Sequence, residues 1–363
     1  MPIRLVNRRL ITPTLLCAAL ALATECLGAQ PALDAASTPG PAASAPAPAP
    51  FSELKTRMFR NLPFYDALRA EHHAARNKLL IPAWSKGFPH SENSGSRFAW
   101  QVHLGGEFPI VAFTTSAADG RMEPGEWGVG LWTPVSFHMI EDFKDDSNPI
   151  VDTDYRFGAM LKFQYGLGGN RRLSVRYIPW AHESTHLGDE YVIIAQRPTI
   201  QPAFERINVS YEYQEYGVSL EGHNLFRTDD EWTLRHGGII PWGADGYYSD
   251  HLLGSDDPAL TSSQKNYEPS FGVQYLLPPW QDRHVYLSFD LRNKLVYNYH
   301  QSPDNPERRQ WSWNLHIGRT LERNDRKALK DYFVQIYRGV NPYGQLRSQA
   351  DYWSIGIGWI FGM

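Results

Sequence analysis

Residues 181–191 read AHESTHLGDEY and concentrate most of the chain's chemical options. His182, Glu183 and His186 form H-E-x-x-H, which on a helix turns two imidazoles toward one zinc ion. His182 and Ser184 also form H-x-S. Residues two apart on a strand point to the same side, so the imidazole could take the hydroxyl proton and make Ser184 a nucleophile. The two readings need different backbones. The preceding stretch RRLSVRYIPW reads as a strand, Gly188 follows His186 closely, and 13 histidines make a chance match cheap. The expectation is therefore a strand with no metal at this motif.

A nucleophile and base need a third group to orient the imidazole. Asn208, in RINVSYEY on the partner strand, is the candidate, with Asp189, Glu190 and Glu205 as alternatives. Counted at period two from Ser174 and Arg176, His182 and Ser184 fall on the polar side of their strand. Arg206, Asn208, Ser210 and Glu212 share one polar face as well. On that count these residues, with His186, Asp189 and Glu190, build a polar network inside a barrel near its mouth, which structure alone could require. A serine that cuts lipid must face outward instead, and that requires Pro179 to shift the register through a bulge.

Strands must carry this site, and period-two alternation recurs along the chain. In DYWSIGIGWIFGM, Trp353, Ile355, Ile357, Trp359 and Phe361 share an apolar face opposite Ser354, Gly356, Gly358 and Ile360. Val285, Leu287, Phe289 and Leu291 likewise oppose His284, Ser288, Asp290 and Arg292. Such strands suit a transmembrane barrel, where alternate residues meet lipid. Candidate strands fall near 98–115, 126–140, 153–166, 171–182, 204–221, 232–242, 268–277, 283–299, 309–320, 331–340 and 351–361. A break at Gly105-Gly106 would bring the total to about twelve. Aromatics reach 13 % with 12 Trp and 19 Tyr, while mean hydropathy is only −0.44. The fold expected is all-β, a transmembrane antiparallel barrel. A net charge of −4 gives no case for nucleic acid.

The ends and loops set the expected organisation. Residues 1–29, with Arg4, Arg8 and Arg9 before an apolar run, read as a signal peptide that carries off both cysteines, Cys17 and Cys26. Residues 30–50 read as a Pro/Ala-rich disordered linker. Residues 51–96 read as a periplasmic segment, partly helical, that could cap or plug the barrel, with His72 and His73 in solvent. The barrel occupies 97–363. Tight turns near 166–170 and 278–282 face the periplasm, and the long connections, including 183–203, face outside.

Four stretches carry a resemblance: HESTHLGDEY, then Arg206, Asn208, Ser210 and Glu212 in R-x-N-x-S-x-E, then DTDYRFG at 152–158 and GVNPYGQLR at 339–347. Together they resemble a bacterial domain-of-unknown-function family of outer-membrane barrel proteins. The resemblance implies the cell outer membrane as location, with outer-membrane lipid and the barrel-assembly machinery as partners. The chain is also similar, more loosely, to outer-membrane phospholipase A. That similarity implies His182 as base, Ser184 as nucleophile and Asn208 as orienting amide, with Thr185 standing where the phospholipase has Asn. No cofactor is expected, calcium being the one ion left open. Two functions remain: acyl-ester hydrolysis of envelope lipid, or a non-enzymatic structural or pore-like barrel with a polar lumen.

Overall fold

A computed structural model of the chain describes residues 54–86, 99–116, 122–142, 150–188, 210–241, 267–279, 283–296, 308–322, 330–346 and 352–361. The signal peptide and linker expected over 1–50 lie outside them. Thirteen strands make one antiparallel sheet: β1 Lys55–Met58, β2 Asn77–Lys86, β3 Ala99–Thr114, β4 Trp127–Asp142, β5 Ile150–Leu167, β6 Arg171–Leu187, β7 Ser210–His223, β8 Glu231–Pro241, β9 Glu268–Leu276, β10 Val285–Val296, β11 Arg308–Glu322, β12 Lys330–Gly339 and β13 Tyr352–Phe361. β2 through β13 pair in sequence order, and β13 returns to β2, from Trp353↔Lys86 to Phe361↔Asn77. The ring is a closed twelve-stranded barrel. Closure gives every barrel strand two neighbours and satisfies most backbone groups between them. The seam is thin: β2 pairs with β3 only over Lys78–Leu80, and β1 covers the far end of β3 at Val111–Thr114.

The twelfth strand is not the expected one. β3 runs unbroken through Gly105 and Gly106, while NKLLIPAWSK, assigned by sequence to a partly helical segment, forms β2. Pro82 and the run Leu79-Leu80-Ile81 hide its alternation, and the register against β13 shifts between Ile355 and Gly356. Among the described residues of 51–96 there is no helix; β1 and β2 flank an irregular stretch, 59–76.

Alternation decides which side chains meet lipid. On β10, Ser288, Asp290, Arg292 and Lys294 are buried toward the lumen, while Val285 and Leu287 are exposed outside. Leu104, Leu161, Val273, Ile317, Val334 and Ile357 continue the apolar outer surface, with Tyr155, Phe157, Tyr177, Trp311 and Tyr332 among them. Tight connections close one end. At the β5–β6 turn Gly169 and Asn170 take the left-handed region (φ 69° and 57°), which those residue types tolerate. At the β7–β8 turn the Asp230 carboxylate accepts the N–H groups of Leu225, Phe226 and Arg227 at 2.7–2.9 Å. Long connections such as 188–209 and 242–267 leave from the other end.

The lumen is filled by the chain's own segment 59–76. Leu62, Phe64, Tyr65, Leu68, Arg69, Glu71, His72 and His73 are all buried there. His72 and His73 are therefore interior residues rather than solvated ones. An irregular segment carries unpaired backbone groups, and lumen side chains meet them. Gln164 donates to the Pro63 carbonyl at 3.0 Å, Asn314 to that of Ala70 at 2.6 Å and Arg156 to that of His73 at 2.7 Å. Ser288 Oγ accepts the Ala70 N–H at 3.0 Å and Gln274 Oε1 that of Arg69 at 3.0 Å.

Candidate active site on the outer wall

β6 carries the H-E-S-T-H run, and its geometry turns on one residue. Against β7 the register shifts between Ile178 and Ala181, and against β5 it shifts between Ala159 and Leu161. β6 holds one more residue than either neighbour there. Pro179, which has no N–H to offer the ladder, sits in this bulge. An extra residue inverts the two faces beyond it. Before the bulge Ser174, Arg176 and Ile178 point to the lumen; after it Ala181, Glu183, Thr185 and Leu187 do. His182, Ser184 and His186 therefore face outward. The inward placement obtained by counting from Ser174 is corrected by this bulge.

On that outer face Ser184 Oγ lies 3.4 Å from His186 Nε2. The serine's described partner is thus His186, not His182. His186 meets the Tyr155 ring edge-on at 5.7 Å, and His182 packs on Phe157 at 5.4 Å. Trp180 lies beside Phe157, ring centroids 5.4 Å apart. The hydroxyl and two imidazoles occupy an aromatic strip near the long-loop end of β6. Across the β6–β7 ladder, Ser184 pairs with Ser210 and His182 with Glu212.

Glu212 and His186 are exposed, so neither belongs to a lumenal network. Asp189, Glu190, Glu205, Arg206 and Asn208 lie outside the described residues. H-E-x-x-H lies on a strand, so its two histidines are two pleats apart along an extended backbone rather than one helical turn apart.

The lumen does hold a charged network, built from residues that the motif did not include. The Glu71 carboxylate receives Arg176 at 2.6 Å and Arg235 at 2.7 Å. Arg176 also reaches Glu215, which in turn binds Arg156 at 2.5 Å. The Tyr65 ring lies under both guanidinium groups, 4.8 Å from that of Arg176 and 4.2 Å from that of Arg235. Farther along, Arg69 meets Asp331 at 2.7 Å and Arg292 meets Asp290 at 2.9 Å. Burial alone would raise the Glu71 carboxyl, but Arg176, Arg235 and Arg292 outweigh it and hold the group well below the ordinary range. The signal was present in the sequence as charged residues at lumen-facing positions, but their partner, Glu71, sits outside the barrel strands.

GVNPYGQLR turns into the long-loop mouth. Val340, Tyr343 and Leu346 are fully buried, and the Gly344 N–H donates to Asp154 of the DTDYRFG stretch at 3.3 Å. A side chain at Gly344 would collide with Thr185, its Cβ falling 2.1 Å from the threonine methyl. Three of the four stretches behind the resemblance therefore meet at one place, since Asp154 and Thr185 are also cross-strand partners.

A closed antiparallel ring with an apolar outer surface and a polar, filled lumen defines an outer-membrane-type β-barrel. The chain is similar to outer membrane phospholipase A from Escherichia coli, with 14 % identity over 84 % of this chain and 94 % of that one, TM-score 0.43. It is also similar to the translocator domain of an autotransporter from Neisseria meningitidis, with 9 % identity over 80 % and 89 % of the two chains, TM-score 0.36. A third similarity is to an outer membrane channel from Pseudomonas putida F1, with 10 % identity over 82 % and 100 %, TM-score 0.36. No family model and no curated protein matches the chain.

Proposed function

We propose that this chain is an outer-membrane hydrolase that cleaves acyl esters of envelope lipid at the outer wall of its barrel. The observation that carries the reading is the outward placement of Ser184 beside His186, at 3.4 Å, on the surface that meets lipid. A lipid ester reaches such a group by lateral diffusion, without entering the lumen. In the proposed reaction an imidazole takes the Ser184 proton while Oγ attacks the ester carbonyl. The C–O bond to the alcohol then breaks as the imidazolium returns the proton, and water releases the acyl group from the serine. His186 is the base that the described contact favours, and His182 on the other side of Ser184 is its competitor. Asn208 is proposed as the orienting amide, and the expected signal peptide and outer-membrane location belong to the same proposal.

A second reading keeps the barrel non-enzymatic, and the Glu71 network favours it as a self-plugged scaffold. The filled lumen argues against an open pore in this state. The two readings separate on acyl release from phospholipid and lipopolysaccharide in detergent, with and without calcium. The hydrolase reading expects release that is lost in Ser184→Ala with the barrel still heat-modifiable. No release by wild type from any envelope lipid, or full release by Ser184→Ala, ends it.

A further inference from the structure

Three imidazoles converge inside the barrel, far in sequence from the H-E-x-x-H run. His103 on β3 and His138 on β4 are direct cross-strand partners on the lumen face, ring centroids 4.1 Å apart. His72 of the plug meets both edge-on, at 5.2 Å and 6.0 Å. One ring nitrogen from each residue lies within 4.8 Å of the other two. All three residues are buried, with 4 % or less of their surface exposed. Both nitrogens of His72 and the Nε2 atoms of His103 and His138 have no hydrogen-bond partner among the described residues. Buried polar atoms left without partners are uncommon and costly, and here the four belong to one cluster.

We infer that His72, His103 and His138 form a binding site for a divalent transition metal of the zinc class, which fastens the plug to the barrel wall. An all-imidazole donor set suits zinc rather than calcium or magnesium, which take oxygen ligands. Three histidines leave a fourth position for water, and a small cavity bordered by Asp290, Asn314 and Tyr337 adjoins His72. The ligands come from two parts of the fold, two from the wall and one from the plug. Metal binding would therefore be linked to plug seating, since only the seated plug completes the set. Lys78, the cross-strand neighbour of His103 on β2, and Arg292 and Lys294, which border the same cavity as His72, are the opposing influences, because their charges repel a cation. This site does not depend on Ser184 or on the hydrolase reading.

The test uses the full-length chain folded into detergent micelles with and without zinc, since a lumenal site exchanges slowly after closure. Wild type should retain about one equivalent of zinc after desalting, and cobalt in its place should give the absorption bands of a low-coordinate imidazole site. His72→Gln, His103→Gln and His138→Gln should each retain less than about a tenth of an equivalent while remaining heat-modifiable. The outer-face double variant His182→Ala/His186→Ala should retain the full equivalent, and Lys78→Gln should bind more tightly. Zinc should also slow protease cleavage within 59–76 in wild type and not in His72→Gln. Folded wild type that retains no zinc and gives no cobalt bands overturns the inference. So does retention of the full equivalent by the His103→Gln and His138→Gln variants.

Discussion

On the proposed reaction Ser184 and His186 act as one unit, and their substitutions should behave so. Ser184→Ala and His186→Ala should each lower acyl release on the order of a thousandfold, and the double variant should be no worse, because a nucleophile without its base is as inert as none. His182→Ala should cost less than tenfold if His186 is the base, since His182 packs on Phe157 and makes no described bond to the serine. Release kinetics on the three single variants and the double variant check this. Equal, severe losses at His182 and His186 would assign the base differently. The residue types were legible before the structure: H-x-S pointed to a base and a hydroxyl on one strand face. The face was not legible. One additional residue at Pro179 inverts it, and a proline in a strand signals a break without saying whether a residue has been inserted. The pairing of Ser184 with His186 was not anticipated: the H-x-S reading makes His182 the base and places His186 in the polar network, although His186 stands at the same two-residue spacing on the other side of Ser184.

The plug is the element on which stability turns. Glu71 supplies one carboxylate to two buried guanidinium groups, so Glu71→Gln leaves Arg235 and Arg176 with less compensation. Removing one partner of a buried pair costs about 3 kcal/mol, and the change should appear as faster protease cleavage within 59–76 with the barrel still heat-modifiable. The same carboxylate sets a pH dependence. Its folded pKa is depressed below the ordinary 4.5, so its contribution is fully present above that value. It is lost as pH falls below it, once the seated carboxylate must take a proton. Plug protection should hold at neutral pH and weaken below about pH 4, read by limited proteolysis across a pH series with an acid-tolerant protease. Loosening on raising the pH from neutral would contradict the assignment. Elements such as β10 and β13 were readable because most lumen-facing residues are polar or small and most outward ones apolar, Tyr286 and Ile360 inside and Asn293 outside being among the exceptions. β2 was not, since Leu79-Leu80-Ile81-Pro82 has no such rhythm. The segment that could cap or plug the barrel was expected to be partly helical from the character of FYDALRAEHHAARNKLL, whereas its described backbone over 59–76 is irregular and is held by lumen side chains, which need no helix to satisfy it.

A barrel that fills its own lumen leaves the outer wall as the surface on which the proposed hydrolysis would meet its substrate. Hydrophobic outer side chains and satisfied backbone groups predict that the folded chain fractionates with outer membranes and migrates differently on gels before and after heating. Recovery as a water-soluble periplasmic protein would defeat that prediction. The proposed hydrolysis requires Ser184, on the outer surface, to be a nucleophile. The most direct measurement is covalent labelling of folded wild type in micelles with a lipid-like fluorophosphonate, followed by mass spectrometry of the peptides. Folded wild type should carry one phosphonate adduct, on Ser184, absent from heat-unfolded protein and strongly reduced in His186→Ala. An unlabelled Ser184 in folded, heat-modifiable wild type, or equal labelling with and without His186, would contradict it.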